Sequence, residues 1–195
     1  MKSISKILLF CFVTTIIMSS CKKDENNEPK KIIVKMGAQS NPTIGSFYSL
    51  GANKVYTNDL AESKQDTIDF LCFYEHDEVN NRINDITLSS PGANIIGIFT
   101  GSIDPSTWTT MNLTKFQVPV PEITVEEFDL LDKNDATIES YFDNSVTSSN
   151  KKAKLLTAGD IYAFKTHNNI YGLIKVISVG QNADGYVEFE IKYKK

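Results

Sequence analysis

The chain has 195 residues, 41% of them hydrophobic, and a formal net charge of −4. That length supports one sizeable core. The mildly acidic balance, with no basic block beyond Lys151, Lys152 and Lys154, speaks against nucleic acid as a partner.

The chain opens on Met1-Lys-Ser-Ile-Ser-Lys6, an apolar run from Ile7 to Met18 and the small pair Ser19-Ser20. A charged start, a short apolar stretch and a small-residue cleavage site are the order of a secretory signal. The apolar run is too short to span a membrane, since twelve helical residues cover about 18 Å against about 30 Å of hydrocarbon. Cys21, directly after the small pair, resembles the lipobox cysteine of bacterial lipoproteins; Met18 and Ser20 depart from the commoner lipobox residues. The resemblance implies that residues 1–20 are a cleaved lipoprotein signal peptide. It also implies that Cys21 is the lipidation site, with palmitate-type chains. The expected location is the cell envelope, lipid-anchored in the outer membrane, with exposure at the cell surface. One acyl chain anchors marginally and two or more anchor stably.

Between Lys22 and Lys31 the only apolar residue is Pro29, so residues 21–31 read as a flexible, solvated tether. Extended, it reaches at most about 40 Å. Lys22-Lys-Asp-Glu25 resembles the acidic surface-export tag of Bacteroidota lipoproteins. Of three cysteines, Cys11 leaves with the signal and Cys21 is acylated, so Cys72 has no partner for an intramolecular disulfide. Stability must then come from packing. Residues 32–195 read as a single α+β module, with lobes at about 32–118 and 119–195 as the alternative division.

Along that module, Ile32–Met36 is a strand, and Phe47–Leu50 and Lys54–Thr57 are short strands around a Gly51-Ala-Asn53 turn. Thr57 or Asn58 caps a short helix through about Gln65, with Asp59 and Glu62 early and Lys64 late. Thr67–Tyr74 carries Ile68, Phe70, Cys72 and Tyr74 on one face and Leu71 and Phe73 on the other, which predicts a central strand covered on both sides. Cys72 there reads as a buried small hydrophobe. Glu75–Asp85 is polar and reads as a loop, followed by short strands at Ile86–Leu88 and Ile95–Phe99. Gly101–Asn112 is a Ser/Thr-rich loop holding the only tryptophan, Trp108. Thr114–Val118 is extended and is stopped by Pro119 and Pro121.

Thr124-Val-Glu-Glu127 is a capping box ahead of Phe128 and Leu131, a helix start. A second short helix is predicted over Asp135–Phe142, then a polar loop from Asn144 to Lys152. Ile161–Thr166, Ile170–Val179 and Tyr186–Tyr193 form an antiparallel meander, joined by the short His167-Asn-Asn169 loop and the longer Gly180–Gly185 turn. In its last strand Val187, Phe189, Ile191 and Tyr193 point to the core, and Glu188, Glu190, Lys192 and Lys194 are expected to face water. The expected fold class is α+β: a mixed or antiparallel sheet with a C-terminal three-stranded meander and two or three short helices.

Met36-Gly-Ala-Gln-Ser-Asn41, Gly45-Ser-Phe-Tyr-Ser-Leu50, Val55-Tyr-Thr57, Ile68-Asp-Phe70, Leu88-Ser-Ser-Pro-Gly-Ala93, Ala163-Phe-Lys-Thr166 and Tyr171-Gly-Leu-Ile-Lys-Val176 together resemble a Bacteroidota cell-envelope lipoprotein family of unknown function. The resemblance implies location and a one-module architecture. It implies no activity.

The residues that carry chemistry form no catalytic signature. His76 and His167 are far apart and neither has a partner at metal-ligand spacing, so no metal or cofactor is predicted. Glu75-His-Asp-Glu78 lacks the glycine turn of a calcium loop, and Asp132-Lys-Asn-Asp135 has Thr137 where the EF-hand needs glycine. There is no Gly-x-Ser-x-Gly, and no catalytic residue is assigned. Trp108, an indole in a polar loop, is the candidate ligand-binding residue; anchoring of the loop by a buried indole is the commoner reason for a single tryptophan. Asp66-Thr67-Ile68 resembles the short O-glycosylation motif of Bacteroidota exported proteins, with Thr67 as acceptor. The leading expectation is a non-enzymatic binding, accessory or structural lipoprotein with a glycan or protein partner. The alternative is an extracytoplasmic, carboxylate-based hydrolase acting on glycans, which needs two carboxylates about 5–10 Å apart.

Overall fold

The computed structural model describes residues 31–145 and 150–194. The expectations for the signal peptide, for Cys21 and for the tether up to residue 30 lie outside them. In chain order the strands are β1 (Ile32–Gly37), β2 (Phe47–Ser49), β3 (Lys54–Tyr56), β4 (Phe70–Asp77) and β5 (Arg82–Ser89), then β6 (Lys115–Gln117), β7 (Lys152–Ala153), β8 (Ile161–Lys165), β9 (Tyr171–Gly180) and β10 (Tyr186–Lys194). They form two five-stranded sheets, β1-β10-β9-β8-β6 and β3-β2-β4-β5-β7, with every pairing antiparallel. The fold is α+β, mostly sheet, and the C-terminal meander is present as read.

The main core lies between the sheets and follows the period-2 alternation of each strand. Tyr48, Phe70 and Cys72 from one sheet meet Phe164, Ile174, Val187, Phe189 and Ile191 from the other. Tyr48 meets Phe189 edge-on with ring centroids 6.5 Å apart, and Phe70 meets Phe164 edge-on at 5.1 Å. The residues between these positions point outward and are covered in turn. Phe47, Leu71 and Phe73 pack under the 91–112 segment, and Ala163 and Leu173 pack under Phe128, Ile138 and Phe142. Burial on both faces explains why β4 lacks a polar face. Ile68 alone breaks its predicted side: it precedes the strand and packs outward with Leu71.

Both sheets take strands from both halves of the chain. A cut near 118 would separate β1 and β6 from the meander they pair with. Gly172 in β9 is needed by its neighbour: a Cβ there would lie 2.2 Å from Phe164 Cζ, whose ring crosses it from β8.

Several elements differ from the sequence reading. Glu75–Asp77 and Arg82–Asp85 are not loop but the outer ends of β4 and β5. Arg82 holds that hairpin by ion pairs to Glu75 at 2.8 Å and Asp77 at 3.4 Å, so it does not depend on burial. Ile95–Phe99 is not a strand; Ile95 and Phe99 plug the outer cluster, while Ile96 is exposed and Gly97 has φ +78°. The predicted helix at 57–65 is two 3-10 turns, Asn58–Leu60 and Glu62–Lys64, and the 135–142 segment is a 3-10 helix, Ala136–Tyr141. Helix α1 (Val125–Leu130) carries the full capping box: Thr124 Oγ1 accepts from Glu127 N, and Glu127 Oε2 accepts from Thr124 N.

The largest correction concerns β10. Glu190 and Lys192 do not face water; they are 2% and 5% exposed. Helix α1 lies over them. Lys192 Nζ donates to the backbone oxygens of Phe128 at 2.7 Å and Leu131 at 2.6 Å, at the C-terminal end of the helix. The Glu190 carboxylate is surrounded by the ammonium groups of Lys31, Lys175 and Lys192 at 3.4, 3.6 and 3.6 Å.

Candidate functional site

Trp108 is not available for stacking on a ligand. It is 5% exposed, packs on Phe47 with centroids 5.5 Å apart, and donates its indole N–H to Ser102 O at 2.8 Å. The indole anchors its loop on the outer face of the β2-β4 sheet, so the expected binding role is withdrawn. Cys72 is fully buried in the main core, and burial pushes its thiol far above the ordinary range. His76 lies on the hairpin end of β4, 3.6 Å from Glu78. Among the described residues no group of three or more His, Cys, Asp or Glu is placed to hold a metal ion.

A different pair comes together. Asp69 immediately precedes β4, and its N–H donates to Tyr48 O at 2.9 Å. Its Oδ2 accepts from Leu50 N at 2.8 Å, tying the end of β2 to the start of β4. The side chain is nine-tenths buried, yet Oδ1 makes no hydrogen bond among the described residues. It faces His167 Nδ1 at 3.7 Å, beyond hydrogen-bond length. His167 comes from the other sheet, on the β8–β9 loop. That loop is set tightly: Thr166 N donates to Ile170 O at 3.0 Å, Asn169 N donates to Thr166 O at 3.0 Å, and Asn169 takes the left-handed φ of +59°. Asparagine tolerates that conformation better than most residues.

The pair borders a cleft of about 240 Å³ between the ends of the two sheets, lined also by Ser49, Asp66, Thr67 and Asn168. Among the described residues, no lysine or arginine lines it. Burial raises the Asp69 carboxyl above the usual aspartate range; the Leu50 N–H and the proximity of His167 pull it back only in part. Burial also raises the neighbouring Tyr48 phenol, reinforced by Tyr193 and Asp69, and Tyr48 donates its hydroxyl to Asn53 Oδ1 at 2.8 Å. A carboxylate held where its charge is disfavoured, at the edge of a cleft, is the pattern of a binding or reactive group. The nearby hydroxyls are engaged elsewhere. Ser49 is buried with its Oγ 3.4 Å from Ala52 N, and Thr67 Oγ1 donates to Lys64 O at 2.9 Å. The cleft therefore assembles acceptors rather than a nucleophile and its base.

A groove of about 400 Å³ between the 118–125 segment and the start of β8 brings Glu122 and Asp160 to one wall system beside Tyr162. Asp160 Oδ2 accepts from Thr157 N at 2.7 Å and closes the turn before β8.

Sequence reading missed the Asp69–His167 pair because the partners stand on different sheets. One signal was present: Asp69 is the only charged residue in the apolar run Ile68–Tyr74. Comparison of the chain with protein-family models, with curated proteins and with solved structures gave no match.

Proposed function

We propose that this is a lipid-anchored binding protein of the bacterial cell envelope, held in the outer membrane through Cys21 and working through the cleft between Asp69 and His167. The anchor rests on the order of residues 1–21: charged start, short apolar run, small pair, cysteine. The binding role rests on one observation, the Asp69 carboxylate, nine-tenths buried with an oxygen left open to a cleft. Its partner is a glycan or protein of the envelope. Thr67 is exposed on the rim of the same cleft, where a glycan on its hydroxyl would crowd access.

Two experiments test this. Mass spectrometry of the mature protein finds an acylated Cys21 at the N-terminus, and Cys21→Ala accumulates as unprocessed precursor; an unmodified Cys21 or another cleavage site defeats the anchor. Glycan arrays and envelope pull-downs compare wild type with His167→Ala, a change in an exposed loop. At least tenfold weaker capture is expected, and equal capture by the folded variant removes the cleft from consideration.

The hydrolase reading is favoured by one feature, the shared groove of Glu122 and Asp160. Glycan cleavage by wild type that is lost in Glu122→Gln would establish it in place of simple binding.

A further inference from the structure

We propose that the Asp69–His167 cleft recognises a protonated primary amine on its ligand, a step that rests on reading this cleft as the binding site. The lining carries two carboxylates, Asp66 and Asp69, and among the described residues no lysine or arginine, so it favours a cationic group over an anionic one. The acidic lining is not the whole argument. Asp69 is 5% exposed, one of its oxygens is fixed by Leu50 N, and the other is open to the cleft. Burying a carboxylate with an open acceptor is costly, and a ligand donor at that oxygen relieves the cost.

The spacing selects the donor. Asp69 Oδ1 and His167 Nδ1 are 3.7 Å apart, too far to bond each other. With the imidazole neutral and its proton on Nε2, both atoms are acceptors. A nitrogen about 2.9 Å from each can donate one N–H to each. A hydroxyl has a single hydrogen and satisfies one of the two. An ammonium has three donors and no acceptor, and its third N–H is free for the Asp66 side of the cleft. The cavity of about 240 Å³ lies below the roughly 300–1,000 Å³ of whole small-molecule pockets. It accommodates an amine-bearing end of a larger molecule, with the remainder outside.

The titratable groups facing Asp69 are His167, Asp66 on the rim and the Tyr48 phenol, with Tyr193 behind Tyr48. Tyr48 stays neutral because burial raises its phenol.

The test is an NMR titration of the ¹⁵N-labelled chain from Lys22 on, which retains every described strand and helix. The probes are ethylammonium, tetramethylammonium, glucose and acetate, each followed at Asp69, His167 and Asn168. Ethylammonium is expected to shift these resonances saturably, while tetramethylammonium, which has the charge but no N–H, does not. Asp69→Asn keeps an oxygen for Leu50 N and is expected to weaken ethylammonium binding at least tenfold. His167→Arg places a guanidinium against Asp69 and is expected to abolish it. Equal response to ethylammonium and tetramethylammonium would reduce the effect to bulk charge and overturn the proposal. Saturable binding of glucose or acetate alone would overturn the amine and leave the cleft as a site. No response to any probe would remove both.

Discussion

Buried charge takes two opposite forms in this protein. Lys192 is buried with its ammonium bonded to two carbonyls at the end of α1 and set 3.6 Å from the Glu190 carboxylate. Burial lowers its ammonium below the ordinary lysine range, and Glu190 and Asp129 oppose that shift. Here the charge holds the helix to the sheet. Lys192→Met should lower the unfolding free energy by about 3 kcal/mol, because Glu190 and the helix carbonyls lose a buried partner together. A urea melt measures it, and a loss below about 1 kcal/mol would show the network to be incidental. Asp69 is the other form, a carboxylate with one oxygen fixed and one open. Its folded-state pKa is raised above the unfolded value. Its contribution to stability is therefore greatest below the unfolded aspartate pKa and is lost as pH rises through the raised value. The surface carboxylates of Asp77, Glu127, Asp135 and Asp143, half-buried or exposed, are shifted down by local hydrogen bonds and act in the opposite sense, losing stability as pH falls. The burial of Glu190 and Lys192 was not legible in the alternation of β10, and around Asp69 the one signal was a single charge in an apolar run. A polar residue at an outward position reads as wet unless the helix that covers it is known.

Elements were legible where one local rule decided them. The alternation of Val187, Phe189, Ile191 and Tyr193 fixed β10 and its buried face, and the Thr124–Glu127 capping box fixed the start of α1. Phe189 is fully buried against Tyr48, so Phe189→Ala should cost about 3–5 kcal/mol in a denaturant melt. A change below about 1 kcal/mol would place that side chain at the surface. Elements were misread where pairing, not burial, holds the chain. The β4–β5 hairpin runs beyond the core on ladder bonds and the Arg82 ion pairs, so its polar ends looked like loop. Ile95–Phe99 has strand-like residues but no sheet edge to join, and it serves as a plug. The short helices kept their places but tightened to 3-10 turns, as segments of three to six residues with few packing contacts tend to do.

On the scale of the molecule, two interleaved sheets leave a cleft where the β2–β3 turn, the segment before β4 and the β8–β9 loop converge. The chain enters the fold at that same end: Ile32 lies opposite Ile191, and Tyr171, which follows the His167 loop, lies opposite Lys194. The proposed anchor rests on the order of twenty-one contiguous residues. The cleft is assembled from segments far apart in sequence, and only the topology brings them together. The central claim is that Asp69 is kept for a ligand and not for the fold. It is tested most directly by the unfolding free energy of Asp69→Asn at pH 7, from urea melts of the chain beginning at Lys22. Asparagine keeps an acceptor for Leu50 N and removes a buried charge, so the variant should be as stable as wild type or more stable. A loss of more than about 1 kcal/mol would make Asp69 a structural residue and contradict the account.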